Sequence, residues 1–405
     1  MSTIESLFQR NKAGTPAADF VAFVSDSQTE QVLKHFVFDE AMPHVHVAIG
    51  GIDDAIAWLS KADRSPLLLL VDLHGSVMPL SDLARLAEVC EPSVQVIALG
   101  ERNDVGLFRS LLRIGVRDYL VKPLTVDLLK RTVDLSAGKV NAVAQTRAGK
   151  VIAFVGARGG VGTTTTAVHL VRHLAEDTHR RVAYVDLNLH GGAGTSLLGL
   201  AGNNGLIDVL QNVHRLDPAY VERTMVAKGA RLFVLSAELG FGEPRPFEDG
   251  SLARVLELLT DSFHYVVLDV GERGDPLAGE AFDRASRVYV VADRSVHSTH
   301  ETIRLMRYIE DRDNNPATSV LLNNPNAATA GKVQLADFLS AVGRSVLTEL
   351  PFESRALAIA ENVGDPQAGG HGTAFQQAIV RIGNDLTGQH AVAKRSLMER
   401  LRLRK

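Results

Sequence analysis

Short apolar runs alternate with segments of helical periodicity along most of this chain, and the alternation is interrupted once. The runs at 20–24, 46–49, 67–72, 94–99 and 118–121 read as strands, with helix-period segments between them. That alternation predicts a parallel sheet with helices on both faces. Residues 136–149 follow, poor in bulky apolar side chains, and read as a linker. A second series then begins, with strands at 151–155, 182–185, 232–235, 265–269, 288–292, 319–322 and 346–350. Seven strands joined by crossovers predict a doubly wound sheet whose ligand crevice lies beyond the C-terminal strand ends. The predicted fold class is therefore α/β with two doubly wound parallel-sheet domains, over 1–135 and 150–390, and a basic tail at 391–405.

Composition narrows the picture. A chain of 405 residues with 45% hydrophobic and 22% charged positions suits two or three globular domains with full cores. The net charge of −4 gives no sign of a general nucleic-acid surface. Cys90 is the sole cysteine, which excludes an internal disulfide framework. The first ten residues contain no apolar core of the secretory type. The longest apolar runs, such as 67–71, are strand-sized, so the expected setting is cytoplasmic.

One stretch carries specific chemistry. Ala157-Arg158-Gly159-Gly160-Val161-Gly162-Thr163-Thr164-Thr165 lies between the predicted strand 151–155 and a helical pattern. Strand, glycine-rich turn and helix N-terminus form the layout of a phosphate-binding loop, in which backbone N–H groups cradle phosphate oxygens. Thr164 sits where such loops place a hydroxyl on Mg²⁺, while the usual lysine position holds Thr163. Asp186 and Asp269 close two predicted strands. Each can hold Mg²⁺ from the same crevice, or simply cap the turn that follows.

Arg158-Gly-Gly-Val-Gly-Thr-Thr resembles the deviant Walker A loop of the MinD/ParA family of P-loop ATPases. Leu321-Leu322-Asn323 resembles that family's adenine-reading strand end, and Leu350-Pro351-Phe352-Glu353 its late nucleotide-contacting segment. The resemblance implies ATP and Mg²⁺ as ligands, a nucleotide-stabilised homodimer, and nucleotide contacts from 158–165, Asn323, Pro351 and Glu353. The family's lysine that reaches the partner's nucleotide corresponds to Arg158, which retains the charge. Its water-positioning aspartate corresponds to Asn188, which can orient a water but accepts a proton poorly. Losing one preorganised charge costs two to three powers of ten in rate, roughly 3–4 kcal/mol. With Thr163 and Asn188 both altered, binding with slow or absent hydrolysis is expected.

The first series resembles a response-regulator receiver. Asp72 ends its third strand where receivers carry the phosphoacceptor, and Lys122-Pro123 matches the strand-end lysine and proline. Asp26 stands at the acidic pair, but its neighbour is Ser25, and Gly100 replaces the expected hydroxyl residue. The domain reads either as a phosphorylated regulator or as a protein-interaction module that kept the fold. With this domain in front, the chain resembles the CpaE/TadZ branch of the family. That implies localisation work in Flp/Tad pilus assembly, with pilus or secretion proteins recruited through the first domain. A ParA-like partition ATPase binding DNA is the rival reading, disfavoured by the charge and the lack of an evident helix-turn-helix.

The segment 391–405 carries Lys394, Arg395, Arg400, Arg402, Arg404 and Lys405 against Glu399. Leu397, Met398 and Leu401 share one helical face there, which suits a peripheral anchor at the inner membrane or cell pole, a solvated, frayed helix or a partner-binding arm. His169, His173 and His179 lack carboxylate or cysteine companions at ligand spacing and read as surface or helix-packing residues. Trp58 reads as core, and no Gly-x-Ser-x-Gly nucleophile turn occurs.

Overall fold

The computed structural model describes residues 18–62, 64–137, 148–324 and 332–387. The tail 391–405 and residues 138–147 of the expected linker lie outside the described residues, and 136–137 close the helix Val126–Ala137. The chain forms two units, each built on its own sheet.

The first unit has strands β1 (Phe20–Val24), β2 (Val45–Ile49), β3 (Leu68–Asp72), β4 (Gln95–Gly100) and β5 (Asp118–Val121). All pair in parallel in the order β2-β1-β3-β4-β5. This is the flavodoxin-like order, and it brings the ends of β1 and β3 side by side at the switch point. β1 and β3 are buried along their whole length, as strands covered on both faces must be. Trp58 packs with the core on one face and stacks on His46 at 5.4 Å. Asp26 starts the helix Ser27–Asp39 by accepting the Thr29 N–H at 2.7 Å.

The second unit carries β6 (Lys150–Gly156), β7 (Val182–Asp186), β8 (Val226–Lys228), β9 (Leu232–Leu235), β10 (Tyr265–Val270), β11 (Arg287–Ala292), β12 (Ala317–Asn323) and β13 (Val346–Leu350). Their order is β13-β12-β11-β6-β10-β7-β9-β8. The seven expected strands are present and parallel, and an eighth, β8, adds an antiparallel edge beside β9. β8 has three residues, too few for an alternation to show in the sequence.

The chain leaves β6 towards β7 on one side and later returns to β11 on the other. The crevice therefore opens above the C-terminal end of β6, next to β10, β11 and β7. The core beneath it is fixed by Phe154 of β6 and Tyr289 of β11, both fully buried, with rings 5.0 Å apart. Truncating such an aromatic costs about 3–5 kcal/mol. The helix Thr163–Arg172 follows the glycine loop and passes into a wider π-type turn at His173–Asp177. His169 and His173 are both buried on it, so they pack against the core rather than lie on the surface.

Candidate functional site

The loop 157–162 leaves β6 and starts the helix Thr163–Arg172 at Gly162, whose φ is +91°. Only glycine adopts that backbone cheaply, and a Cβ there would also overlap the Asn323 amide nitrogen. That amide donates to the Val161 carbonyl at 2.7 Å and so ties the end of β12 to the loop. The Ala157 N–H donates to Val291 of β11 at 2.8 Å, and the Thr166 hydroxyl to the Gly162 carbonyl at 2.7 Å. The loop is thus braced from both ends, with its N–H groups at a helix N-terminus where anions are favoured.

Two cavities meet at this loop, and Gly160, Gly162 and Thr165 line both. One, of about 620 Å³, is walled by the rest of the loop, Asn188, Asp269 and the segment 270–274. The other, of about 280 Å³, is walled by His169, Asn323, Asn324, Pro351 and Phe352, among others. The first is polar and adjoins the helix N-terminus; the second is mostly apolar and suits a flat ring. Next to the second, the backbones of Gly199 and Gly364 touch: a Cβ on Gly199 would lie 2.7 Å from the Gly364 carbonyl oxygen.

Asp186 and Asp269 are direct cross-strand neighbours on β7 and β10. Both are buried. Asp186 accepts the N–H groups of Asn188 at 3.1 Å and Gly194 at 3.2 Å. Asp269 accepts the Tyr184 hydroxyl at 2.9 Å and is hydrogen-bonded by Thr164. Burial pushes both carboxyls up from the usual range, Asp186 to about 7, where the adjacent Asp269 charge adds to it. Such a pair asks for a cation. Two carboxylates and a hydroxyl are a hard oxygen donor set that fits Mg²⁺, which is completed by waters and phosphate oxygens rather than by a protein cage. No group of three or more His, Cys, Asp or Glu suited to a metal occurs among the described residues. Thr164, Asp186 and Asp269 are the residues that would hold Mg²⁺, and its chemistry there would be neutralisation of phosphate charge.

Arg158 does not project freely. Its guanidinium bonds the Asp293 carboxylate and donates to the Gly159 carbonyl at 2.8 Å. Burial raises the Asp293 carboxyl, but Arg158 and Ser295 more than offset this and hold it below the usual range. Glu353 turns away from the smaller cavity. Its carboxylate accepts the N–H of Ala374 at 2.8 Å and of Phe375 at 3.3 Å, at the start of the helix Ala374–Thr387. The expected set is thus gathered except for Glu353, while Tyr184, Arg273 and Asp293 join it unannounced. Asp293 follows the apolar run of β11 as Asp186 and Asp269 end theirs, so its signal was present; Arg273 gave none.

The first unit has a second cluster. Asp72 is 2% exposed, and its carboxylate lies 2.6 Å from Lys122 Nζ. It accepts the Ser25 N–H at 2.9 Å, the Ser25 hydroxyl at 2.6 Å and the His74 N–H at 2.9 Å. Lys122 also reaches Asp26 at 2.6 Å. Burial raises the Asp72 carboxyl, but Lys122 and Ser25 outweigh it and keep it ionised. Beside Gly100, Tyr119 fills the space a side chain would need, its hydroxyl 2.6 Å from the position of a Cβ. The ammonium thus stands between the two acids, and nothing at Gly100 can serve as a switch hydroxyl.

Residues 149–320 match the AAA domain family. Among solved structures, the chain is similar to a ParA family ATPase from Chlorobium tepidum, at 18% identity and a TM-score of 0.53, over 57% of this chain and 96% of that one. It is similar to the septum site-determining protein MinD of Pyrococcus horikoshii, solved with Mg-ADP, at 17% identity and a TM-score of 0.51, over 58% of this chain and 95% of that one. These likenesses show that the second unit has the fold of those ATPases. A pilus assembly protein CpaE from Caulobacter crescentus is 31% identical over 29% of this chain and 97% of that one, with a TM-score of 0.27. A probable C4-dicarboxylate response regulator, DctR of Halalkalibacterium halodurans, is 39% identical over 71 residues, and the chain spans 30% of its length.

Proposed function

We propose that this protein binds ATP·Mg²⁺ in its second unit and uses the nucleotide as a conformational clamp. It forms a nucleotide-stabilised homodimer, hydrolyses ATP slowly or not at all, and recruits pilus or secretion assembly proteins through its first unit. The observation that carries the reading is the convergence of the loop 157–162, Thr164 and the adjacent Asp186 and Asp269 at one end of one sheet. The larger cavity would take the phosphates and the smaller one the base, with Asn323 and Pro351 beside it. Slow turnover follows from Thr163 and Asn188, neither of which supplies the charge or the base that a fast hydrolase uses. The pilus context rests on the resemblance of the loop and the order of the two units.

For the first unit, the saturated hydrogen bonding of Asp72 favours an interaction module over a phosphorylated regulator. No described helix is long and apolar enough to cross a membrane. Residence in the cytoplasm, with contact at the inner membrane or pole through 391–405, is part of the proposal. DNA binding is not.

Calorimetry with ATP and ADP in the presence of Mg²⁺, read with light scattering, tests the core of this. Micromolar ATP binding with an ATP-dependent dimer supports it, whereas absence of nucleotide binding defeats it.

A further inference from the structure

The phosphate side of the site lacks the lysine that Thr163 replaces, yet it is not without a cation. Arg158 and Arg273 are the basic residues on the wall of the larger cavity. Arg158 is committed to the Asp293 carboxylate. Arg273 is not committed in that way. It lies in the segment after β10, is one-third exposed at the side chain, and donates to the Ala157 carbonyl at the start of the loop. Ala157 is itself fully buried and fixed to β11, so the guanidinium is anchored on a rigid point of the loop. The ion pair of Arg273 with Glu301 is long, 3.8 Å to Oε2, while Arg304 at 2.8 Å and His300 at 3.3 Å hold the other carboxylate oxygen, Oε1. A guanidinium offers five N–H donors, so one bond to a carbonyl leaves a fork free for two phosphate oxygens.

We propose that Arg273 is a nucleotide-binding residue that supplies, from elsewhere in the same chain, the phosphate-neutralising charge that Thr163 lacks. The inference rests on the reading of this crevice as a nucleoside di- or triphosphate site. Arg273 takes the phosphate end, and its anchoring on Ala157 holds the charge in place before the ligand arrives. Such preorganisation lets one arginine do the work of a lysine inside the loop.

The test is ATP and ADP affinity by calorimetry with Mg²⁺ for the full chain and three variants. Arg273→Gln keeps an amide donor on a shorter side chain but carries no charge, and the unfolding midpoint read beside affinity separates bracing of the loop from neutralisation of phosphate. It is expected to lose at least tenfold in ATP affinity with an unchanged unfolding midpoint in the absence of nucleotide. Arg273→Lys is expected to retain most of the affinity. Thr163→Lys combined with Arg273→Gln is expected to recover it. Wild-type binding with Arg273→Gln within twofold overturns this inference alone. The same holds for a tenfold loss shared equally by Arg273→Lys, or for a lowered midpoint that accounts for the loss. A wild-type chain that binds neither nucleotide overturns the proposed function and this inference together.

Discussion

The Arg158 guanidinium is bound to the Asp293 carboxylate of the same chain, 135 residues away in sequence. An arginine expected to reach a partner's nucleotide is therefore held at home. A dimer that uses Arg158 must first break this pair. Asp293→Asn should then make the ATP-dependent dimer tighter by about 1 kcal/mol, roughly fivefold. Arg158→Ala should weaken the dimer more than it weakens nucleotide binding by the monomer. Light scattering against ATP concentration reads both, and a weaker dimer in Asp293→Asn would show that the pair is not a latch.

Asn323 joins the two cavities through its bond to the Val161 carbonyl. Asn323→Ala leaves that carbonyl without its buried donor, at a cost of about 1–3 kcal/mol. Both the unfolding midpoint and the ATP affinity should fall. An unchanged midpoint would mean that the loop is held by its other bonds alone.

Gly162→Ala combines a left-handed backbone with a Cβ that overlaps the Asn323 amide. A methyl on Gly159, by contrast, meets nothing within 4 Å. ATP affinity should collapse in Gly162→Ala and persist in Gly159→Ala, with calorimetry as the measure. Equal behaviour of the two would contradict the geometry assigned to the loop.

Burial holds the His169 imidazole down at about 4, with the Arg172 charge acting in the same direction. In the unfolded chain its pKa is about 6.5. Between these values the unfolded chain holds the proton and the folded chain does not. Stability should therefore rise with pH from about 4 to about 6.5 and level off above, His169 accounting for about 3 kcal/mol. Urea unfolding of wild type and His169→Phe across this window isolates the contribution. Parallel curves would mean that His169 titrates normally.

In the first unit, Lys122→Met would strand the buried Asp72 charge and should destabilise by about 3–5 kcal/mol. Intact protein exposed to a small phosphodonor should gain no phosphoryl mass at Asp72. A stoichiometric gain would restore the regulator reading.

Much of this was legible in the sequence because the chemistry follows the pattern. Buried parallel strands read as apolar runs, and an acid at the end of such a run stands out in the chain itself, as at Asp72, Asp186 and Asp269. The glycine loop was legible because strand, turn and helix follow one another without a gap. What stayed hidden depends on distant pairings. Glu353 serves a helix that starts 21 residues later, and Arg273 meets Ala157 across 116 residues of chain. Tyr184 looks like one more strand residue until β10 is placed beside it and its hydroxyl finds Asp269. No local spacing encodes such meetings, because the sheet order decides them.

The contact between Gly199 and Gly364 carries a last consequence, for the history of such a chain. Two backbones in touch leave no side chain through which either position could adjust to a change in the other. Sequence drift elsewhere in the crevice can proceed by small compensations, a larger residue here against a smaller one there. At these two positions it cannot, since the first step already drives a carbon into main chain. Lineages that keep the smaller cavity should keep both glycines, and lineages that lose one should have rebuilt the connection around it.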